Sequence, residues 1–194
     1  TATPAGSPVF DASVKAVGTH SFTGSGNIVD EAAFPITTSH FNRTYGQLGF
    51  WVRVNDTPGM LNQVLKVTGA GQGSLELTWD GTGRSIMARY LWQSGPPAGY
   101  SVTSPALSND LWYYVVVWWN QAATSGTRLS ISLYSDDGTQ VGSTVTYSNP
   151  MTAWSVDANA LHVGRILTKW WIDNIIITDD LTRDLVAIRN NTSY

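Results

Sequence analysis

The sequence predicts an all-β protein built from two packed antiparallel sheets. Many short segments alternate apolar and polar side chains or are rich in β-branched and aromatic residues, as half-buried strands are. Clusters of glycine, aspartate, asparagine and serine separate these segments, and such clusters mark chain reversals. Only one segment near the C-terminus has helical spacing, so the order of elements favours a sandwich over a fold that alternates strands and helices.

The first clear strand is 46–54, where GQLGFWVRV alternates apolar residues with Gly, Trp and Arg. Two segments of similar character follow at 60–68 and 74–79. The sequence Asp-Gly-Thr-Gly at 80–83 is a strong turn signal, and 84–92 after it is again strand-like. We therefore predict a hairpin on either side of that turn.

The segment 111–119, LWYYVVVWW, is apolar on both faces, which predicts a central strand that is covered on both sides. A second hairpin is predicted to join 128–134 to 140–147 through the turn Ser-Asp-Asp-Gly at 135–138. This hairpin would extend the sheet that contains the central strand.

The last predicted strands are 161–166 and 169–178. After them, Asp180 is a candidate N-cap, and Leu181, Leu185 and Ile188 recur at roughly helical spacing. We expect a short helix or turn at this point in the chain.

Length and composition bound the class of protein. The 194 residues, with a mass of 21.1 kDa, suit one domain over 1–194 with an extended polar arm at 1–8. A net charge of −3 argues against nucleic-acid binding, and the absence of cysteine excludes disulfides and thiolate metal sites. No apolar run approaches the roughly 20 residues of a membrane span, so no membrane insertion is expected. The N-terminus shows no signal-peptide pattern.

Four short motifs occur in the order that one known superfamily shows. They are FWV at 50–52, LWYY at 111–114, LHVG at 161–164 and IDNI at 172–175. On these the chain resembles the laminin-G-like branch of the concanavalin A-like lectin/glucanase superfamily. The resemblance implies a jelly-roll sandwich of two antiparallel sheets, in a superfamily that includes lectins, adhesion modules, glycoside hydrolases, polysaccharide lyases and virion surface proteins.

Catalytic motifs are missing from the sequence. Glycosidases need two carboxyl groups flanking the scissile bond, and the only glutamates, Glu31 and Glu76, do not reproduce the paired-glutamate strand that the resemblance would imply. The histidines His20, His40 and His162 lack the neighbours of a lyase site. His162 alternates with apolar residues and is expected to be a hydrogen-bonded structural group. We predict that the protein is not an enzyme.

Asp173 is a carboxylate inside the apolar run LTKWWIDNIIITDD, where it needs a partner. Three interpretations are open: a catalytic group, a structural acceptor of hydrogen bonds from the backbone or Arg165, and a calcium ligand. Calcium can combine one carboxylate with backbone carbonyls. The resemblance implies a structural Ca²⁺ between the first strand and the last, with Asp173 as the matching residue of the last strand and Asp11 or a nearby backbone carbonyl at the N-terminal end.

Candidate sugar-binding residues lie in two predicted loops. Flat aromatic rings pack against the apolar face of a pyranose, and amides bind its hydroxyl groups. Trp92, Gln93 and Tyr100 surround a rigid Gly-Pro-Pro-Ala-Gly turn, and Trp154 lies in a similar loop. The rings either project as a binding surface or fold back over the core. The strand tryptophans are predicted to be core residues.

Two functional hypotheses follow. The first is a non-catalytic, lectin-like domain for glycan binding or adhesion at an outer surface, through the loop aromatics. The second is a structural virion protein, such as a phage capsid decoration or fibre-associated domain, which contacts neighbouring subunits in an oligomer or lattice. A hydrolase or lyase with an unfamiliar site is a third. The expected location is accordingly the extracellular surface or a virion.

Overall fold

The computed structural model describes residues 3–5, 9–13, 15–17, 21–24, 31–55, 62–69, 73–91, 99–152, 154, 157–164 and 169–190. Within them lie fourteen strands: β1 Thr3–Ala5, β2 Val9–Asp11, β3 Ser21–Gly24, β4 Glu31–Pro35, β5 Tyr45–Asn55, β6 Asn62–Gly69, β7 Ser74–Asp80, β8 Ser85–Leu91, β9 Gly99–Thr103, β10 Trp112–Asn120, β11 Leu129–Tyr134, β12 Val145–Tyr147, β13 Ala158–Gly164 and β14 Lys169–Thr178.

The strands form two seven-stranded sheets. Sheet A has the order β1-β4-β13-β6-β7-β8-β9, and sheet B has the order β12-β11-β10-β5-β14-β3-β2. The described neighbours pair in antiparallel fashion throughout. The predicted sandwich of two antiparallel sheets is therefore confirmed, and it is consistent with a jelly roll.

Most predicted strands from β5 onward are present, with ends shifted by a few residues. The first hairpin is confirmed as β7 and β8 around the turn at 81–84, and β14 has the predicted bounds. The second hairpin is shorter than predicted. A single bridge joins Tyr134 to Gln140, and pairing resumes only at Val145, because Gly142 adopts a left-handed φ of 68° and bends the chain between them.

The N-terminal strands β1 to β4 were not predicted. Thr3–Ala5, part of the predicted arm, pairs with β4 of the same chain. The side chains of these first strands include alanine, serine and proline, so no apolar alternation distinguishes them in the sequence.

The core lies between the sheets and is rich in large aromatic rings. The inward residues of β10, Val115, Val117 and Trp119, are fully buried against the opposite sheet. β10 lies between β11 and β5, as its composition predicts. Leu111, predicted to begin this strand, lies outside it and is 54% exposed.

The outer face of sheet B is covered by the C-terminal segment 181–190, which forms turns, one of the two alternatives predicted. Leu185 from this segment is buried in a second apolar cluster with Trp51, Tyr114 and Ile176. Trp51 also donates from Nε1 to the carbonyl of Arg189 at 3.1 Å. The central strand is thus covered on both sides. Across the described ranges, no helix has the length and apolar character needed to cross a membrane.

Candidate functional site

Three connecting segments meet at one end of the sandwich, which we call the loop end: 36–44, 121–128 and 148–152. The amide of Gln121 donates to the carbonyl of Thr44 at 2.7 Å, and its side chain donates to the carbonyl of Met151 at 3.1 Å. The hydroxyl of Tyr90, on sheet A, donates to the carbonyl of Arg43 at 2.7 Å. Burial raises the pKa of Tyr90, so the phenol stays protonated as the donor of this bond.

The loop predicted to bind sugar connects two strands at this end. The residues that flank the loop are Leu91 and Gly99, which pair with each other across β8 and β9. Leu91 also pairs with Ser74 of β7. Trp92 and Gln93 themselves lie outside the described residues, so their predicted role stays a prediction.

Tyr100 is a strand residue of β9, although the sequence placed it in the loop. Its half-buried ring packs against Tyr147 with centroids 5.2 Å apart, and its hydroxyl accepts a hydrogen bond from the amide of Thr152 at 3.1 Å. The ring therefore closes the gap between the edge strands β9 and β12 and does not project into solvent from a rigid turn.

Trp154 folds back into the core, so the expectation that it projects as a binding surface is wrong. The residue is only 2% exposed. Its ring stacks on Phe41, with centroids 5.4 Å apart, and lies 5.7 Å from the ring of Tyr90, while Phe41 also stacks on Trp119 at 4.9 Å. Burying the indole against Phe41 and Tyr90 removes far more apolar surface from water than an exposed position would.

Asp173 has the structural partners that one of its three interpretations required. Its Oδ2 accepts hydrogen bonds from the amides of Ala16 at 3.1 Å and Val17 at 2.9 Å. Burial raises the pKa of this carboxyl, while the backbone donors, including that of Asn174, oppose the shift. Arg165, the other predicted partner, lies outside the described residues.

The calcium interpretation stays a prediction. Two amide N–H groups already bond to Oδ2 and disfavour a cation at that oxygen, so a calcium ion would have to bind through Oδ1 together with backbone carbonyls. Asp11, the last residue of β2, pairs through its backbone with Ser21 of β3, and its side chain is outside the described part of the chain. Within that part, no group of three acidic or histidine side chains could hold a metal ion.

A cleft of about 500 Å³ opens at the loop end between β4 and β13 of sheet A and β14 of sheet B. One wall is apolar, and the rim is polar. The wall consists of Phe34, Ile36, Leu161, Ile175 and Ile177, and the rim of Thr38, Ser39, His40, Asn42, Thr178 and Asp179, beside the buried Phe41. Concave, largely apolar spaces with a few convergent polar groups are the usual form of ligand sites.

A β-bulge in β14 places the isoleucines in this wall. Asp173 pairs with Trp51 but Ile176 pairs with Gly49, so the strand carries one extra residue between them. Asn174 takes a left-handed φ of 45° there. The alternation shifts as a result: Ile175 and Ile177 face the sheet interface, while Ile176 packs outward with the C-terminal turn.

The rim offers hydrogen-bond donors and a carboxylate. Nδ1 of His40 accepts from the amide of Thr37 at 3.2 Å, so in the neutral ring the proton is on Nε2, which is a donor. Oδ1 of Asn42 accepts from the amide of Thr44 at 2.9 Å, which leaves its NH₂ group as a second donor. Asp179 is an exposed carboxylate on the same rim.

Sequence reasoning missed the cleft because its two sides are far apart in the chain. The available signal was the polar string TTSH at 37–40, which interrupts apolar residues between Phe34 and Phe41. A polar string at a strand end is also what any connecting loop looks like, so it did not indicate a site.

The two glutamates share the outer face of sheet A, where each is held by a cross-strand partner. Glu31 on β4 bonds to Nδ1 of His162 on β13, and Nε2 of His162 lies 3.3 Å from the hydroxyl of Thr68 on β6. Glu76 pairs with Lys66 at 2.7 Å. We interpret these contacts as cross-strand side-chain pairs that stabilise the pairing of adjacent strands. His162 is hydrogen-bonded, as predicted.

No family model and no curated protein sequence matches this chain. The binding domain of botulinum neurotoxin DC in complex with rat synaptotagmin II is similar in structure, with a TM-score of 0.67 and 10% identity over 100% of this chain and 47% of that one. Botulinum neurotoxin type C, whose cellular uptake depends on interaction with two ganglioside molecules, gives the same four values.

A protein of unknown function from Shewanella oneidensis MR-1 has a TM-score of 0.58 and 15% identity, over 91% of this chain and 77% of that one. The chain spans less than half the length of the neurotoxin binding domains. At these identities the comparisons establish the fold alone, so membership of the concanavalin A-like superfamily stays a prediction. What this chain shares with the toxin binding domains and the Shewanella protein is a two-sheet β-sandwich.

Proposed function

We propose that this protein is a non-catalytic binding domain that recognises glycans at its loop end. The observation that carries the proposal is the cleft, whose apolar wall faces a rim with hydrogen-bond donors and a carboxylate. A pyranose presents an apolar C–H face and an edge of hydroxyl groups that both donate and accept. The two sides of the cleft are complementary to those two parts of a sugar.

The rim groups divide the polar recognition between them. Nε2–H of His40 and the NH₂ group of Asn42 would donate to sugar oxygens, and the Asp179 carboxylate would accept from hydroxyl groups. Trp92 and Gln93 belong to a connection that begins and ends at the same end of the sandwich, and they remain our candidates for further contacts.

The non-catalytic part of the proposal is supported by the carboxylates. Glu31 and Glu76 are engaged with His162 and with Lys66, on a sheet face separate from the cleft. Among the described residues that line the cleft, Asp179 is the one acidic side chain, whereas glycoside hydrolysis ordinarily uses a pair of carboxyl groups.

The fold adds support by analogy. Among proteins with this sandwich, botulinum neurotoxin type C interacts with ganglioside molecules and neurotoxin DC binds synaptotagmin II. Shared folds host many functions, so the cleft rather than the fold carries the argument. The alternative of a virion decoration protein rests on the sequence alone and stays a prediction.

A glycan-array screen tests the proposal. Wild-type protein should bind a restricted set of glycans, and His40→Ala and Asp179→Asn should each weaken binding at least fivefold, because each removes a polar contact on the rim. Asp136→Asn is the matched control, since this exposed carboxylate lies in the 135–139 turn and not on the rim. Trp92→Ala tests the loop prediction in the same screen.

Two results would contradict the proposal. The first is that the wild-type protein binds no glycan in the screen. The second is glycan binding that Asp136→Asn weakens as much as the rim variants do, because the cleft would then not be the site.

A further inference from the structure

We propose that the ligand of the cleft is a single-chain amphiphile with an uncharged, hydroxylated head, of which an alkyl glycoside is the simplest example. This inference rests on the proposed function and specifies its ligand class. The head group would contact the rim at the loop end, and the alkyl chain would lie against the apolar wall.

The wall is better suited to an alkyl chain than to a sugar ring alone. Among the described residues, the wall side chains are mostly branched aliphatic, with Phe34 and the neighbouring Phe41 as aromatic rings. A pyranose presents one apolar face to such a wall, whereas an alkyl chain can bury methylene groups along its whole length. Ile36, Ile175 and Ile177 are only partly buried by the protein itself, so a ligand chain would remove their remaining apolar surface from water.

A second recess of about 190 Å³ adjoins the cleft. It is lined by Phe22, Phe34, Val163, Ile172, Asp173, Asn174 and Ile175. Phe34 and Ile175 line both spaces, which places the recess beside the cleft along β14. The apolar part of this recess would extend the surface for a chain that passes Phe34 and Ile175.

The charge of the rim selects the head group. Asp179 is an exposed carboxylate without a cationic partner among the described residues, and it would repel an anionic head such as that of a fatty acid. His40 and Asn42 are donors that need acceptors. A hydroxyl group can accept a hydrogen bond from these donors and donate one to the carboxylate. A carboxylate head only accepts, and a purely cationic head does not accept, so neither satisfies both sides of the rim.

Calorimetry with five probes tests the inference at pH 7: n-octyl β-D-glucoside below its micelle concentration, glucose, sodium octanoate, octyltrimethylammonium and 1,2-octanediol. We expect octyl glucoside to bind at least tenfold more tightly than glucose or octanoate. NMR spectra should show octyl glucoside shifting the methyl resonances of Ile36, Ile175 and Ile177.

Two variants separate the chain from the head. Ile36→Ser should weaken octyl glucoside at least fivefold and weaken glucose clearly less, because it makes polar a wall that an alkyl chain contacts over a larger area than a sugar ring does. Asp179→Asn should strengthen octanoate at least fivefold, an effect that a purely structural role of Asp179 would not produce. Asp136→Asn should change the affinity for neither octyl glucoside nor octanoate. Asp179 is on the exposed rim, so its variant stays informative even where Ile36→Ser lowers stability.

The outcomes distinguish this inference from the proposed function. Equal affinity for glucose and octyl glucoside would contradict the inference that the ligand is an amphiphile, but it would not contradict the proposal of glycan recognition. Octanoate or octyltrimethylammonium binding as tightly as octyl glucoside would overturn the assigned head group. Octyl glucoside binding that Ile36→Ser leaves unchanged would place the chain outside the cleft. If 1,2-octanediol bound as tightly as octyl glucoside, the proposal of glycan recognition would be contradicted, whereas the proposed site for the alkyl chain would be supported.

Discussion

Phe41 and Trp154 stack face to face, with ring centroids 5.4 Å apart and planes inclined by 17°. The two residues come from different connecting segments, so the contact fastens the loop after β12 to the loop after β4. Phe41 lies between two rim residues, His40 and Asn42. The rim of the cleft is therefore built on a rigid aromatic base.

Trp154→Ala should destabilise the protein by about 3–5 kcal/mol, because it removes a fully buried indole from the core. Trp154→Phe should cost clearly less, since a smaller ring still stacks on Phe41. Urea unfolding followed by circular dichroism measures both. A loss below about 1 kcal/mol for the alanine variant would show that the ring is exposed in solution, which is the other alternative that the sequence left open.

Leu185→Ala should cost about 2–5 kcal/mol, because Leu185 is 2% exposed between Trp51 and Tyr114. The chain offers a matched control for this substitution. Leu111→Ala removes the same atoms from a residue that is 54% exposed, and it should change stability by no more than about 0.5 kcal/mol. Similar losses for the two variants would mean that the C-terminal turn does not cover sheet B.

Asp173 should make stability depend on pH in mildly acidic solution. The pKa of this carboxyl is raised above its ordinary value near 3.8, so the folded state binds its proton more tightly than the unfolded state does. Its contribution is fully present below about 3.8 and is lost as pH rises through the higher folded-state pKa. Asp173→Asn should remove this dependence when unfolding free energies are measured from pH 3.5 to 7.

The same variant tests the calcium prediction. If a calcium ion binds at this carboxylate, Ca²⁺ should raise the Tm of the wild-type protein, EDTA should lower it, and Asp173→Asn should abolish both effects. A Tm that neither addition changes would contradict the calcium prediction.

Asn174→Val should destabilise the protein by about 1–3 kcal/mol, because a β-branched residue is strained at a φ of 45°. It would also lose the hydrogen bond from the Asn174 side chain to the carbonyl of Arg189 at 2.7 Å. Asn174→Gly also loses that bond but is not strained at a positive φ, so it should cost less. Thermal unfolding of the two variants gives the comparison, and equal Tm values would remove the argument from backbone strain.

The sandwich could be predicted from the sequence because its long strands carry strong local signals. The alternation of β5 and the turn between β7 and β8 each fix an element without reference to the rest of the chain. The short strands β1 to β4 have no such pattern, since they depend on pairing with distant strands such as β13.

The site could not be predicted in the same way. Asp173 is held by amides 156 and 157 residues away in the chain, and the cleft joins β4 to β14. Trp154 shows a related limit, because turn-forming neighbours indicate a loop but not whether the loop folds back onto the core. These features depend on tertiary packing, which local periodicity does not record.

The bulge at Asn174 also determines where β14 tolerates the deletion of a residue. Because Asn174 is the extra residue opposite β5, its deletion would leave Ile175 and Ile177 facing inward and Ile176 facing outward. A deletion between Trp170 and Ile172 would instead invert every side chain on one side of the gap. Within the paired part of β14, a single-residue deletion should therefore be tolerated best at Asn174, and a homologous chain one residue shorter in this strand should have its gap there.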